Sequence, residues 1–314
     1  VGPVVFGTCT NGDDEDGIRF LTPMVPGYEA CIEVTAMNNT GSAAVLQMWV
    51  DWDGSGTFNS GEAVNFLAGG GSIPAGGMST QKFCFQVPAN ATFEKGNAMV
   101  RFRLSSAGGL TPNSQASPVP FGEIEDYKLP LGKIGNLVWN DTNFNGRQDP
   151  FEPGIPNREV TVQWAGEDGN IANAGDNRSF LTTTDANGEY YVCGLIPGTY
   201  KIIVQTPDDM TPTRANVAGN TLDVIDSDGA MTGMDFTMVM ETVVITDVTD
   251  LPEDEDGLED DPNMVGTFPD SQTDQTHDFG FGSLDYGDLP ERPQGEDFNT
   301  SMAENGPVHV LTEE

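Results

Sequence analysis

Positive charge is what this chain has least of: 13 Lys and Arg stand against 49 Asp and Glu, for a formal net charge of −36. No basic cluster offers the cationic face that phosphate backbones or anionic headgroups require, so nucleic acid and anionic membranes are poor partners. Histidine is scarce too, with 2 in 314 residues, and neither His277 nor His309 stands in a Ser, Cys or metal arrangement. With no Gly-x-Ser-x-Gly, His-Glu-x-x-His or phosphate-cradling Gly loop, the sequence reads as a non-enzyme. Long apolar runs are missing. The richest stretch, Ala43 to Val50, is broken by Gln47 and falls far short of the ~18–20 residues of a membrane span, so no membrane insertion is expected. The chain opens at Val1 without an initiator Met or signal segment, as expected of a processed product or an excised piece of something longer.

Helical periodicity is also nearly absent, whereas period-two alternation between Gly, Pro, Asn and Asp clusters recurs throughout, so the fold class is all-β. Ala30, Ile32 and Val34; Leu46, Met48 and Val50; Phe83, Phe85 and Val87; and Val100, Phe102 and Leu104 each give a strand with one buried face, Arg101 and Arg103 taking the wet side of the last. These form a first sandwich ending near Tyr127. After the short connection Leu129 to Gly132, a strand Ile134 to Trp139 opens a second sandwich. It continues with Val160, Val162 and Trp164, then Tyr190 to Val192, then Tyr200, Ile202 and Val204, a long strand Thr237 to Val248, and a closing Phe279 to Gly282. Counting Gly and omitting Tyr, about 47% of the chain is apolar, enough for folded domains.

The 4 cysteines suit an oxidising compartment and allow three pairings. Alternation puts Cys31 on the face of Glu33 and Thr35, and Cys84 on that of Lys82 and Gln86, both away from the apolar core. A disulfide between neighbouring strands is the preferred pairing, and two unpaired thiols the alternative. Cys9 and Cys193 fall in different domains and either stay free or cross-link units.

Carboxylates at this density suit hard cations. In the segment from Asp51, positions 1, 3, 5, 7 and 12 of an EF-hand-type calcium loop fall on Asp51, Asp53, Ser55, Thr57 and Glu62, with Gly56 at the turn. The spacing returns in Asp141, Asn143, Asn145, Gly146, Arg147 through its carbonyl, Asp149 and Glu152. Neither copy is flanked by helical periodicity, so both are expected to be structural calcium loops between strands. Asp185 to Gly188 reads equally as a hairpin turn or as a further contact to an ion through Asp185; Asp226 to Gly229 is no stronger. The acidic stretch Asp247 to Asp278 reads as a solvated loop or as additional calcium binding.

Two resemblances follow from these motifs. Asp51-Trp52-Asp53, Arg101 to Ser105 and Gly122-Glu123-Ile124-Glu125-Asp126-Tyr127 resemble the GEVED domain of bacterial secreted and surface proteins, over most of residues 13 to 128. Ile134 to Trp139, the loop at 141 to 152, Gly154-Ile155-Pro156, Asp185 to Tyr190 and Gly194 to Tyr200 resemble the B-type domain of serine-aspartate repeat adhesins, which implies a calcium-stabilised immunoglobulin-like spacer. Asp285 to Pro290 and Gly306 to Val310 resemble the opening of a GEVED domain. The expected organisation is therefore a GEVED-like sandwich lacking its opening strands (1–130), a B-type sandwich with an acidic insertion at 247–278 (131–282), and the opening of the next GEVED-like domain (283–314). The expected function is a structural unit of an extracellular bacterial surface fibre or stalk, assembled with itself head to tail. The alternative is an adhesin segment that binds host or environmental ligands through its loops.

Overall fold

The computed structural model describes residues 4–6, 17–93, 96–113, 122–217, 226–232, 235–251, 270–285 and 309–310. Among them there is no α-helix. The first half contributes β1 (Val4–Phe6), β2 (Ile18–Phe20), β3 (Glu29–Asn38), β4 (Ala44–Asp51), β5 (Ser72–Ile73), β6 (Gly77–Gln86), β7 (Asn97–Ser105) and β8 (Gly122–Pro130). In one sheet β3 pairs with β6 along one side and with β1 and β2 along the other; the second sheet runs β5-β4-β7-β8. The alternating apolar residues of β3 and β6 meet those of β4 and β7 in one core that includes Ile32, Phe85, Met48 and Phe102. Each such side chain contributes about 1.5–3 kcal/mol by leaving water.

The second half contributes β9 (Gly132–Ile134), β10 (Val138–Asn140), β11 (Glu159–Trp164), β12 (Arg178–Thr183), β13 (Val192–Leu195), β14 (Gly198–Gln205), β15 (Thr211–Pro212), β16 (Ala230–Thr232), β17 (Asp235–Ile245), β18 (Thr273–Asp274) and β19 (Phe279–Gly282). A five-stranded sheet, β12-β11-β14-β17-β16, packs on two three-stranded sheets, β13-β9-β18 and β10-β19-β15. Its core holds Val160, Val162, Trp164, Tyr200, Ile202, Val204 and Phe279. Beyond it, β20 (Leu284–Asp285) pairs with β21 (His309–Val310); residues 286–308 and 311–314 lie outside the described residues.

Several expectations are corrected in detail. The strand expected over Ile134 to Trp139 is two strands, because β9 pairs with β13 and β18 while β10 pairs with β19. The crossing falls at Gly135, where a Cβ would lie 2.3 Å from the Tyr190 carbonyl oxygen. Tyr190 precedes its strand, which starts at Val192, and the long later strand spans Asp235–Ile245. Arg103, expected to be wet, is only 8% exposed. The segment to Asn113 folds over the outer face of its sheet: Arg103 Nη1 donates to the Thr111 carbonyl (2.7 Å), Arg101 Nη1 to that of Pro112 (3.0 Å).

Cys31 and Cys84 stand directly opposite each other on β3 and β6 and are disulfide-bonded. They lie on the face alternation assigns them, yet Cys31 is buried, because the second sandwich covers it. Arg178 Nη2 approaches Cys31 Sγ at 3.4 Å, and Arg178 Nη1 donates to the Glu29 carbonyl at 2.9 Å. Around this point Leu181 N donates to the Tyr28 hydroxyl (2.7 Å), Met24 N to the Gly194 carbonyl (2.8 Å), and Gln272 Nε2 to the carbonyls of Gly96 and Leu131 (2.8 and 3.0 Å). The Tyr28 ring meets Phe180 edge-on at 5.1 Å. Gly194 has φ +85°, and a Cβ there would sit 2.4 Å from the Met24 carbonyl oxygen, so the close approach requires glycine. Cys193 is a free thiol, and burial pushes its pKa up; Cys9 lies outside the described residues.

Replacing both Cys31 and Cys84 by Ser removes a cross-link between residues 53 apart. The expected loss is about 2–4 kcal/mol of unfolding free energy, read from urea melts of oxidised wild type and the double variant.

Candidate metal centres

The first loop leaves β4 at Asp51 and returns to β4 through a bridge between Trp49 and Ala63. Asp51 is buried, and its carboxylate folds the loop: Oδ1 accepts from Ser55 N (3.0 Å) and Oδ2 from Gly56 N (2.7 Å). Asp53 Oδ1 also accepts from Ser55 N at 3.0 Å, and the Ser55 and Thr57 hydroxyls are 3.3 Å apart. Gly56 has φ +78°, a left-handed conformation that glycine adopts without steric cost. At the far end Asn59 caps a 3₁₀ turn, Ser60–Glu62, while buried Glu62 reaches back to accept from Asn59 N at 2.6 Å. One oxygen each from Asp51, Asp53 and Glu62 lies within 4.8 Å of the others. Burial above all, opposed by the Asn59 bond and reinforced by the charges of Asp51 and Asp53, pushes Glu62 above the usual carboxylate range. Bonds from Ser55 pull exposed Asp53 below it.

The second loop repeats four of these backbone-to-side-chain bonds at the same positions. Asp141, buried at the end of β10, takes Asn145 N on Oδ1 (3.1 Å) and Gly146 N on Oδ2 (2.7 Å); Asn143 Oδ1 takes Asn145 N (3.0 Å); Glu152 Oε2 takes Asp149 N (3.0 Å). Gly146 has φ +83° and no room for a Cβ, which would meet the Arg214 carbonyl oxygen at 2.6 Å. Asn145 Oδ1 holds Arg147 N at 2.7 Å. The carboxylates gather less closely here, because Asn143 and Asn145 stand between them, each giving Nδ2 to Asp149 Oδ2 at 2.7 Å. Glu152 is further fixed by Thr142 N (2.8 Å) and by Trp139 Nε1 (3.2 Å).

Asp185 does not join either set: its Oδ1 accepts from Asn187 N and Glu189 N, which closes its own turn. Asp226 to Asp228 is buried beneath the second loop, with Ser227 N donating to the Gly146 carbonyl and Asp226 bridging to Arg147. Sequence reasoning missed Asn59, although it occupies the position of Asp149 in the second copy. It also missed Thr213, whose hydroxyl donates to Asp141 Oδ2; nothing local marks a partner 72 residues away.

The described end of the acidic stretch is not solvated. Asp274, His277 and Asp278 are buried; Asp278 Oδ1 accepts from Leu137 N at 3.0 Å, and its own N donates to Asp228 Oδ2 at 2.8 Å. His277 is held between Asp274 Oδ2 (3.1 Å) and Glu241 Oε2 (3.0 Å). Burial pulls the imidazole down, but the bonds and charges of the two carboxylates outweigh it and carry its pKa up to about 10. Burial likewise opposes the Asp274 charge, and the bonds from His277 and Thr276 outweigh it and hold the carboxyl below its usual range.

With both loops in view, comparison with known proteins separates the halves. Residues 132–250 match the family described as the SdrD B-like domain, and residues 45–130 match the GEVED domain family. These matches bear out both resemblances drawn from the motifs. Serine-aspartate repeat-containing protein D of Staphylococcus aureus is 42% identical over 106 residues, covering 34% of this chain and 7% of that protein. Serine-aspartate repeat-containing protein C of the same organism is 38% identical over 120 residues, covering 38% of this chain and 11% of that protein. The chain thus spans only a small part of these curated relatives. Among solved structures, the major pilin SpaA of Corynebacterium diphtheriae aligns with 89% of this chain and 69% of its own at 11% identity, with a TM-score of 0.34.

The His277 cluster sets a pH dependence. An imidazole raised on folding from its ordinary 6.5 to about 10 stabilises fully below pH 6.5 and loses that contribution as pH climbs toward 10. Asp274, held low, contributes above its ordinary pKa and loses its contribution as pH falls. The expected melting temperature declines from pH 6.5 to 10, and His277→Gln flattens that decline while costing about 3–5 kcal/mol at pH 6.5, because two buried carboxylates lose their partner. Thermal melts across this range check both.

Proposed function

We propose that the chain is a structural repeat unit of an extracellular bacterial cell-surface fibre or stalk, in which calcium and the Cys31–Cys84 disulfide stiffen two sandwiches joined head to tail. The observation that carries the reading is that one twelve-residue loop, with the same four backbone-to-side-chain bonds, occurs in two different sandwiches. Convergent oxygens of this kind fit a hard divalent ion, and the donors are carboxylate, amide, hydroxyl and carbonyl oxygens, with no soft ligand. Asp51, Asp53, Ser55, Thr57 and Glu62 would hold one ion; Asp141, Asn143, Asn145, the Arg147 carbonyl, Asp149 and Glu152 the other. A bound ion supplies the positive charge that these acids lack, so its binding energy adds to folding. The domain division at about 130 and 282, with 283–314 opening the next unit, belongs to the same proposal.

A scaffold role fits the curated relatives, which are named for their repeats. It also fits the chemistry of the second core, where the His277, Asp274 and Tyr190 side chains are engaged in internal bonds.

With calcium at about a hundred times its dissociation constant, each loop adds about 2.7 kcal/mol, so a chelator lowers the melting temperature markedly. A melt unchanged by chelator overturns the calcium assignment. Calorimetric titration of Glu62→Gln and of Glu152→Gln is expected to show one fewer bound ion in each variant than in the wild type.

A further inference from the structure

The two loops carry equal numbers of carboxylates and unequal support. Each has three: Asp51, Asp53 and Glu62 in the first, Asp141, Asp149 and Glu152 in the second. The second also contains Arg147, whose positive charge repels a cation, so a ranking by charge alone puts the tighter ion in the first loop. Site rigidity is the other determinant of calcium affinity, and in this the loops differ. The donors to the Asp51 carboxylate, Ser55 and Gly56, belong to its own loop. Asp141 receives the corresponding bonds from Asn145 and Gly146, and a further one from outside the loop, from the Thr213 hydroxyl. With Gly146 N and Thr213 both on Oδ2, the rotation of the carboxylate is fixed, and Oδ1 keeps a lone pair open to an ion.

Thr213 is itself held in place. It is buried, its N donates to the Gly280 carbonyl at 2.9 Å, and Gly280 N donates to Ser227 Oγ at 3.1 Å. Asp141 N hangs on the same strand, donating to the Phe281 carbonyl at 2.8 Å, so β19 sets the spacing between hydroxyl and carboxylate. The turn of the second loop is gripped as well. Ser227 N donates to the Gly146 carbonyl at 3.2 Å, and a Cβ on Gly146 would lie 2.6 Å from the Arg214 carbonyl oxygen. The two flanks of this clamp, residues 213–217 and 226–227, are tied to each other by Asn216 N donating to the Ser227 carbonyl (2.7 Å) and Val217 N donating to Asp226 Oδ2 (2.8 Å). The first loop is tethered from outside at its second position, where the Trp52 carbonyl accepts from Thr92 N and Phe93 N at 2.9 and 3.1 Å. Its turn is not gripped: among the described residues nothing lies within 4 Å of a Cβ added to Gly56.

We infer that residues 213–217 and 226–227 pre-form the second loop, so that the second site binds calcium more tightly than the first, with Thr213 as the positioning residue that sets the difference. The inference rests on the calcium reading above and gives each site its own role. An ion entering a loop already held in shape loses less of its binding energy to ordering the chain. A partner that orients a ligating group is typically worth about ten- to a hundredfold in metal affinity, enough to reverse the ranking that the Arg147 charge would impose. The second ion is then the one that stays bound, and the first is the one that enters and leaves as the calcium concentration changes. Calcium stiffening is therefore graded, with the second sandwich completed at low concentration and the first only at higher.

The test is calorimetric titration of the full chain with calcium, each site being isolated by disabling the other: Glu62→Gln leaves the second and Glu152→Gln leaves the first. The expected dissociation constant is at least about tenfold lower in Glu62→Gln than in Glu152→Gln. Adding Thr213→Val to Glu62→Gln should weaken the remaining ion about ten- to a hundredfold, whereas adding Thr213→Ser, which keeps the hydroxyl, should retain its affinity. Circular dichroism of the calcium-free protein at the titration temperature checks that the valine variant is folded; should it not be, the comparison of the two Glu variants still decides the ranking. A first site as tight as the second, or tighter, overturns the inference and leaves the calcium reading standing. Unchanged affinity in folded Thr213→Val overturns the role of Thr213. A wild type that binds no ion overturns the calcium reading itself, and the ranking with it.

Discussion

Two buried carboxylates, Asp51 and Asp141, are the points on which the rest of this structure turns. Each sits at the end of a strand and commits both oxygens to the backbone N–H groups four and five residues ahead, so the chain coils around it rather than passing on to the next strand. A buried negative charge in a chain of net charge −36 is costly unless it is bonded and compensated. The backbone supplies the bonds. On the proposed reading, calcium held by the remaining oxygens of each loop supplies the compensation.

The first buried acid lies at the leading end of its sandwich, toward the seam with the second. Asp51 is opposite Met99 on β7, a few residues from Gly96, which receives Gln272 of the second sandwich. Asp141 lies at the corresponding end of its own sandwich, beside β19. The first loop therefore stands near the seam between the two sandwiches, and the second at the far end of its own, beside the close of β19. On the proposed reading, the ion that completes a loop also determines how firmly a joint is held.

Much of this was legible in the sequence because it is local. Period-two alternation gave the buried faces of β3, β4, β6, β7, β11 and β14, and the loop spacing gave both sets of oxygen-bearing residues. What was not legible depends on distant partners. The break at Gly135 follows from a carbonyl on Tyr190; the burial of Arg103 follows from a segment folded across its sheet; the burial of Asp278 follows from Leu137, 141 residues earlier. The alternation rule placed Cys31 on the correct face and misjudged its exposure for the same reason, since the cover comes from Arg178. Gln272, His277 and Thr213 carry no local pattern, because each is defined by what it reaches across the fold.

The disulfide has a mechanical consequence for a molecule pulled along its length. Cys31 and Cys84 join adjacent strands near the end that faces the second sandwich, and 53 residues separate them in sequence. Were the first sandwich torn open by tension, the chain between these residues would remain a closed loop outside the line of force. At about 3.4 Å per extended residue, roughly 180 Å of contour length is withheld from stretching. Much of the first core, including all of β4 and β5 and most of β6, lies inside that loop, so a load that peels away the outer strands cannot draw out the strands within it.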